Sequence, residues 1–198
     1  MASRREVLEM TLAATTLPLT ASALVAPMNR SDDELVLPYK VLYDVRFAAA
    51  RAFADRIAAR GSAAQPFAGD ITRFWYDDLY HRWRDGPATI AGLTGYGALF
   101  CLEQLAAAQR LRVLFRSEHT ALSAGGVKHS LEGPAALVAQ AEHSLADGDW
   151  VVAVADMLLQ CPRRVGARIT AGVTSASREE VPADESLYAW VIGPIEMG

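Results

Sequence analysis

Apolar segments of two kinds alternate along the chain from residue 41 to residue 115, and this alternation limits the fold more than any other feature. Short continuous apolar runs are each followed by a segment whose apolar residues recur at helical spacing. The predicted strands are residues 41–44, 64–68, 88–93 and 111–115, and the predicted helices are residues 46–60, 71–83 and 95–110. Strands alternating with helices of about 13 residues are typical of β-α-β units, which predicts a mainly parallel sheet.

The second half of the chain is less regular. Residues 118–133 are rich in glycine and fit either a hairpin or an irregular active loop. Further helices are predicted over residues 134–146 and 150–160, with a strand as the alternative for the second, and further strands over residues 165–173 and 187–192. We expect these last two strands to pair antiparallel at or near an edge of the sheet. The prediction is therefore one α/β domain with three layers (α/β/α) and a Rossmann-like sheet, over residues 39–198.

Polar residues follow each of the first four predicted strands at its carboxyl end. In a parallel sheet these ends share one edge, where helix N-termini point and ligands bind. The candidate acid–base residues at this edge are Asp44, Asp70, Glu118 and His119. The candidate ligand-binding residues are Arg46, Thr72, Thr94, Gly95, Tyr96, Gly97 and Ser117. Purely structural roles are the alternative: Asp70 as a helix N-cap, and Arg46 as the ion-pair partner of Asp44.

The stretch Gly-Leu-Thr-Gly-Tyr-Gly, residues 92–97, joins a predicted strand to a predicted helix. Backbone N–H groups in such a stretch can approach a carboxylate or phosphate, helped by the helix dipole. The spacing differs from the dinucleotide fingerprint, and the Gly-Lys-Ser/Thr of a phosphate-binding P-loop is missing. The alternative is a tight turn that lets the helix pack closely against the sheet.

The helix predicted over residues 71–83 is unusually aromatic. One face, which we expect to be core, carries Ile71, Phe74, Trp75 and Leu79. Another side carries Tyr76, Tyr80 and Trp83. Aromatic side chains in excess of what solubility needs favour a surface for a partner subunit, because Tyr and Trp anchor interfaces. The alternative is a solvated face with ion pairs between successive turns.

Ser117, Glu118 and His119 are adjacent, so they cannot form a catalytic triad, because strand neighbours point to opposite faces. Glu118 and His119 remain the first candidates for acid–base chemistry. Together with His129, ten residues further on, they would hold a metal only if the intervening segment folds back. Cys101 and Cys161 lie in apolar contexts that favour free thiols, although an oxidising compartment would permit a disulfide. No motif indicates haem or an iron–sulfur cluster, so the cofactor is left open.

Charge and hydropathy exclude two classes of partner. The net charge of −4 offers no basic field for nucleic acid. Beyond the N-terminal segment, no apolar run reaches the roughly 20 residues of a membrane-spanning helix, so we expect no stable membrane span.

The N-terminus places two adjacent arginines, Arg4 and Arg5, ahead of an apolar run over residues 10–26 that contains an Ala-Ser-Ala motif at 21–23. This order resembles a twin-arginine (Tat) signal peptide, with Glu9 where that family often has Lys. The resemblance covers residues 1–23 only, and residues 24–38 are predicted to form a linker or N-terminal arm. It implies export to the periplasm in a folded state, often in the company of a redox cofactor.

The functional expectation combines the leader with the aromatic helix. We expect an accessory or small subunit that associates with a larger periplasmic redox enzyme. One alternative is a module that binds a small anionic ligand at the strand ends. The other is a stand-alone hydrolase or isomerase with its site at the same edge.

Overall fold

A mixed sheet of seven strands organises the chain in the computed structural model, which describes residues 38–162, 166–176 and 181–195. The predicted leader, residues 1–23, lies outside the described residues, as does the predicted linker, residues 24–38, apart from its last residue.

Most predicted helices and strands are present within a few residues of their expected bounds. The strands are β1 (Lys40–Asp44), β2 (Ala64–Phe67), β3 (Ile90–Gly95), β4 (Leu111–Ala121), β5 (Val127–Pro134), β6 (Arg168–Ser175) and β7 (Leu187–Pro194). The helices are α1 (Ala48–Ala59), α2 (Thr72–Phe74), α3 (Tyr80–Asp85), α4 (Tyr96–Ala108), α5 (Ala135–Asp147) and α6 (Trp150–Leu158). A π-helical turn (Trp75–Leu79) joins α2 to α3.

The strand order is β2-β1-β3-β7-β4-β5-β6, and the sheet is mostly antiparallel. Only β1 pairs in parallel, with β2 on one side and β3 on the other, within the described strands. The four remaining pairings, β3–β7, β7–β4, β4–β5 and β5–β6, are antiparallel. The prediction of a mainly parallel, Rossmann-like sheet is therefore wrong.

The predicted pairing of the last two strands is also wrong. β6 pairs with β5 at one edge, whereas β7 lies between β3 and β4 in the middle of the sheet. The cause lies in β4, which continues for 11 residues and returns through a turn over residues 122–126 into β5. A hairpin needs only such a short turn, whereas parallel neighbours need a crossover of about a dozen residues.

Buried side chains form one cluster on each face of the sheet. Neighbours on β7 alternate between them, because Val191 belongs to the first cluster and Ile192 to the second. The first cluster includes residues of α1, α5 and α6, and the second includes residues of α3 and α4. The second face has fewer helices over β5 and β6, where Ser130, Thr170 and Gly172 line an open groove.

Helix α6 is the most apolar helix and the most completely buried. Seven of its nine residues are buried, and Asp149 caps its N-terminus by accepting a hydrogen bond from the backbone N–H of Val151 at 2.9 Å. Its first residue, Trp150, is fully buried against the sheet near the middle of β4 and β5. This placement matters for the polar groups in the same core.

Candidate functional site

The carboxyl ends of β1, β2 and β3 meet at one edge of the sheet, as expected of parallel neighbours. β4 runs in the same direction as β3, because β7 between them is antiparallel to both. The register places Thr94 opposite Tyr188 and Tyr188 opposite Glu118. Thr94 and Glu118 thus share a row across the sheet, two strand spacings or about 10 Å apart.

Asp44 and Arg46 form a closed ion pair at the end of β1. The Asp44 carboxylate is fully buried and accepts hydrogen bonds from Arg46 Nε at 3.0 Å and Nη2 at 2.7 Å. The Arg46 guanidinium packs against Gly69, whose φ of 74° is a backbone conformation that glycine tolerates. Asp44 is therefore held by Arg46 and offers no free carboxylate oxygen to a substrate.

Asp70 has the geometry of a capping residue. Its exposed carboxylate accepts a hydrogen bond from the backbone N–H of Thr72 at 2.8 Å, just ahead of α2. Hydrogen bonds from Thr72 hold the pKa of Asp70 below its ordinary value, so the carboxylate is ionised at neutral pH. This contact alone accounts for an aspartate at that position.

The glycine-rich stretch runs straight from β3 into α4. Gly92 lies inside β3, where a Cβ atom would come within 2.6 Å of the Leu42 carbonyl oxygen, so its role is close packing. Gly95 lies at the N-terminus of α4, and a Cβ there would collide with the Glu185 carboxylate. A carboxylate of the chain itself thus lies where the anion-binding hypothesis would place a ligand. Thr94 is buried, and its hydroxyl accepts the Trp190 indole N–H at 3.1 Å.

A groove of about 410 Å³ separates residues 69–76 from helix α4, and we call it the Tyr76 groove. Its lining includes three of the predicted ligand-binding or acid–base residues and one predicted interface residue: Asp70, Thr72, Gly97 and Tyr76. Tyr76 on one side is 64% exposed, and Phe100 on the other is 46% exposed. Two large rings therefore face solvent across one groove.

The other two predicted interface aromatics differ in exposure. Tyr80 is partly exposed, and its ring packs edge-on against Trp75 at 5.6 Å between centroids. Trp83 is buried, and its indole N–H donates to the Ala88 carbonyl at 2.8 Å. Trp83 follows the buried Leu79 by four residues, one helical turn, and so lies on the core side of the helix.

A second groove, of about 680 Å³, lies on the open part of the sheet, and we call it the Glu118 groove. Its floor contains a row across four strands: Tyr188, Glu118, Ser130 and Gly172. Tyr96, the first residue of α4, also lines it, so this groove combines a predicted ligand-binding residue with a predicted acid–base residue.

Tyr188 and Glu118 are directly bonded within this groove. The Tyr188 hydroxyl donates to Glu118 Oε1 at 2.8 Å. Burial and this hydrogen bond raise the pKa of Tyr188 to about 12, so the phenol keeps its proton at neutral pH. The Tyr188 ring lies 5.5 Å from the Tyr96 ring, which in turn lies 6.0 Å from the Phe100 ring.

The other charged residues of the Glu118 groove pair with each other. Glu132 accepts hydrogen bonds from Arg116 at 2.8 Å and Arg168 at 3.1 Å. Burial alone would raise the pKa of Glu132, but the two guanidinium groups lower it. Arg116 also lies 3.7 Å from Glu103. Both arginines are thus engaged with carboxylates other than Glu118.

On the opposite face, four polar side chains form a continuous hydrogen-bonded row inside the first hydrophobic cluster. Ser117 Oγ lies 2.9 Å from His119 Nε2, the two histidine Nδ1 atoms lie 2.6 Å apart, and His129 Nε2 lies 2.8 Å from Ser175 Oγ. All four side chains are buried, and the Trp150 ring stacks on His119 at 4.3 Å between centroids.

Burial keeps both imidazoles neutral. Desolvation lowers the pKa of His129 to about 4, and desolvation together with the nearby His129 holds the pKa of His119 well below its ordinary value. A neutral pair satisfies every contact, because one Nδ1–H donates to the other Nδ1 while Nε2 and the serine hydroxyls pair at each end. His119 therefore has no exposed atom with which to meet a dissolved substrate.

Among the described residues, no group of three or more His, Cys, Asp or Glu side chains is arranged to hold a metal ion. Both cysteines are free thiols, with Cys101 exposed beside Phe100 and Cys161 buried. Burial raises the pKa of Cys161 to about 12. No helix in the described ranges has the length and apolar character to cross a membrane.

The sequence prediction missed several residues that shape these sites: Phe100, Tyr188, Glu185, Ser175 and Trp150. For Tyr188 and Ser175 the missing information was strand order, since β7 and β6 supply them from far along the chain. Phe100 follows Tyr96 by four residues, a helical spacing that could have identified it as the neighbour of that ring.

None of the protein-family models, curated proteins or solved structures compared with this chain matches it.

Proposed function

We propose that this chain is an accessory or small subunit of a larger periplasmic redox enzyme and that it reaches the periplasm by the Tat pathway. In this proposal the Tyr76 groove is the surface that contacts the larger subunit. The observation that carries the proposal is the pair of exposed rings, Tyr76 and Phe100, on opposite sides of one groove.

Exposed aromatic rings beside a groove fit a protein interface better than a solvated surface. Large rings contribute much of the binding energy in interfaces and lose little conformational entropy when they are covered. Among the residues that line the groove, Asp70 is the one charged side chain, and its carboxylate accepts a hydrogen bond from the Thr72 backbone N–H at 2.8 Å. A partner would therefore cover apolar area without stranding an unpaired charge.

The buried state of His119 favours this proposal over a stand-alone hydrolase or isomerase. The acid–base role expected for His119 would require the Trp150 ring of α6 to move away before a substrate could touch the imidazole. The anion-binding alternative is also less favoured, because the Glu185 carboxylate already lies against Gly95 at the N-terminus of α4.

The leader supports the export step. The paired arginines and the apolar run resemble a Tat signal, and Tat export of a folded subunit is common where a cofactor is loaded before transport. Replacing Arg4 and Arg5 by Lys keeps the charge and should leave the chain in the cytoplasm. Appearance of the variant in the periplasm at the wild-type level would contradict the Tat route.

The interface is tested by native mass spectrometry of the tagged chain purified from the periplasm of its own host. The expected result is a complex with a larger protein that carries a redox cofactor. A Tyr76→Ser, Phe100→Ser double variant should lose the complex, since removing two interface anchors at about 2 kcal/mol each lowers affinity by roughly a thousandfold.

A matched control is a Leu122→Ser, Ile169→Ser double variant, because both side chains are exposed apolar residues outside the Tyr76 groove. This control should keep the complex. The proposal fails if the wild-type chain is found only as a single species of its own mass, or if the groove variant and the control retain the partner equally.

A further inference from the structure

We propose that the Glu118 groove binds a small molecule through a primary alkylammonium group. This inference is independent of the proposed function, because it concerns the open side of β4, β5 and β6 rather than the Tyr76 groove. It rests on the charges of the groove, on the aromatic rings at its side and on an oxygen of the Glu118 carboxylate that is available to accept a hydrogen bond.

Charge in the groove is unbalanced at Glu118. Its charged lining residues are Arg116, Glu118 and Glu132, and Arg116 is hydrogen-bonded to Glu132. Glu118 is partly buried, and no Lys, Arg or His of the described ranges forms an ion pair with it. Its one hydrogen-bond donor among those residues is the neutral Tyr188 hydroxyl, which contacts Oε1 and leaves Oε2 available.

Aromatic rings stand beside this carboxylate. Tyr96 is 52% exposed and lies against Tyr188, whose hydroxyl contacts Glu118, so ring faces and a negative charge border the same space. An ammonium ion is attracted both by a carboxylate and by the face of an aromatic ring. A phosphate or carboxylate ligand would meet Glu118 as a like charge, and the Arg116 guanidinium that lines the groove is already hydrogen-bonded to Glu132, so the charges favour a cation.

The floor of the groove gives room for the rest of the ligand. Beyond Glu118 the same row continues with Ser130 and then Gly172, which has no side chain. Thr170 lines the groove in the next row. The hydroxyl groups of Ser130 and Thr170 can hydrogen-bond to a second polar group of the ligand. A short chain with an amine at one end and a polar group at the other therefore fits the groove best.

Lys128 is the natural competitor within the chain. It lies on β5 diagonal to Glu118, because Thr120 is opposite Lys128 and Glu118 is opposite Ser130. Diagonal neighbours have Cα atoms roughly 7–8 Å apart, so the Lys128 ammonium repels a bound amine and can itself approach Glu118. Removing that charge should therefore tighten amine binding.

Isothermal titration calorimetry of the full chain at low salt tests the inference, with 1,5-diaminopentane as the probe and 1,5-pentanediol as its uncharged match. The diamine should bind, and the diol should bind at least about tenfold more weakly, which corresponds to the loss of one charge-assisted hydrogen bond. Glu118→Gln should weaken diamine binding by about tenfold or more. Tyr96→Ala should weaken it by about three- to tenfold through the lost ring.

A control variant separates the carboxylate from general charge effects. Asp55→Asn removes one negative charge from an exposed position on α1 and should leave the diamine affinity unchanged. If Glu118→Gln does not fold, Lys128→Gln carries the test, with an expected two- to fivefold tightening from the removal of a neighbouring positive charge.

Four results would overturn the inference. They are no heat of binding with the diamine, equal binding of diamine and diol, unchanged affinity in Glu118→Gln, and unchanged or weaker affinity in Lys128→Gln. A capped Gly-Lys-Gly tripeptide tests the other source of an ammonium group, a protein side chain. If the tripeptide binds more tightly than the diamine, the small-molecule proposal is wrong, and the ligand is a lysine side chain of a partner protein.

Discussion

The buried pair His119 and His129 should make the folded protein sensitive to mild acid. In the folded state the pKa of His129 is about 4 instead of 6.5, and the pKa of His119 is also far below its ordinary value. The unfolded chain takes up protons on both rings as the pH falls through 6.5, whereas the folded protein does not. The neutral histidine pair therefore makes its full contribution to the free energy of unfolding above pH 7, and this contribution is lost as the pH falls from 6.5 toward 4.

The size of the loss follows from the pKa difference. Between pH 7 and pH 5, a histidine whose pKa falls from 6.5 to 4 on folding lowers the free energy of unfolding by about 2 kcal/mol. His119, whose pKa burial and the neighbouring His129 also hold well below its ordinary value, adds a loss in the same direction. The loss from His129 alone is already a sizeable part of the roughly 5–15 kcal/mol that stabilises a typical domain. Carboxylates remain mostly ionised in this range, so they contribute little.

Urea unfolding followed by tryptophan fluorescence at pH 7, 6 and 5 measures the effect. A His119→Gln, His129→Gln variant keeps hydrogen-bonding groups but cannot titrate, so its stability should change by less than about 1 kcal/mol over the same range. The exposed histidines provide the control: a His81→Gln, His143→Gln variant should keep the wild-type pH dependence. Wild-type stability that is flat from pH 7 to pH 5 would refute the reasoning.

Three further perturbations test the packing and the thiols. Gly92→Ala should lower the free energy of unfolding by about 1–3 kcal/mol, because its Cβ would overlap the neighbouring strand. Gly97→Ala has open space around it in α4 and should be neutral or stabilising. Urea titration compares the two variants. Arg46→Ala should cost about 3 kcal/mol in the same assay, because the fully buried Asp44 carboxylate loses its cation; a cost below about 1 kcal/mol would mean that water replaces the guanidinium. A thiol reagent at pH 8 should label Cys101 rapidly and only one thiol per folded chain, because Cys161 is buried. Rapid labelling of two thiols would contradict the burial of Cys161.

Strand β5 and the second half of β4 were the elements hardest to predict, and the reason is the polar row inside the core. Alternate residues of a half-buried strand are normally apolar, which is the signal that identifies it. Here the inward positions include Ser117, His119 and His129, which are buried because they hydrogen-bond to one another. Residues 118–133 therefore resembled an irregular loop, with a hairpin as the alternative that the structure contains.

The candidate sites also differ in how much of each could be predicted from local sequence. The Asp44–Arg46 pair and the capping role of Asp70 involve residues close in sequence, and both were foreseen as alternatives. The Glu118 groove needed Tyr188, which reaches it only because β7 inserts between β3 and β4. No local pattern specifies that insertion, since many strand orders would bury the same apolar faces.

Local physical chemistry in the sequence was enough for the type of most elements and for the resemblance of residues 1–23 to an export signal. Helix and strand periodicity follows from backbone geometry, so it can be read within a single segment. Contacts between segments distant in the chain determine the order and direction of the strands. The same contacts bring His119 next to His129 and Tyr188 next to Glu118. Those contacts are selected by the packing of the whole core, and only the tertiary structure decides them.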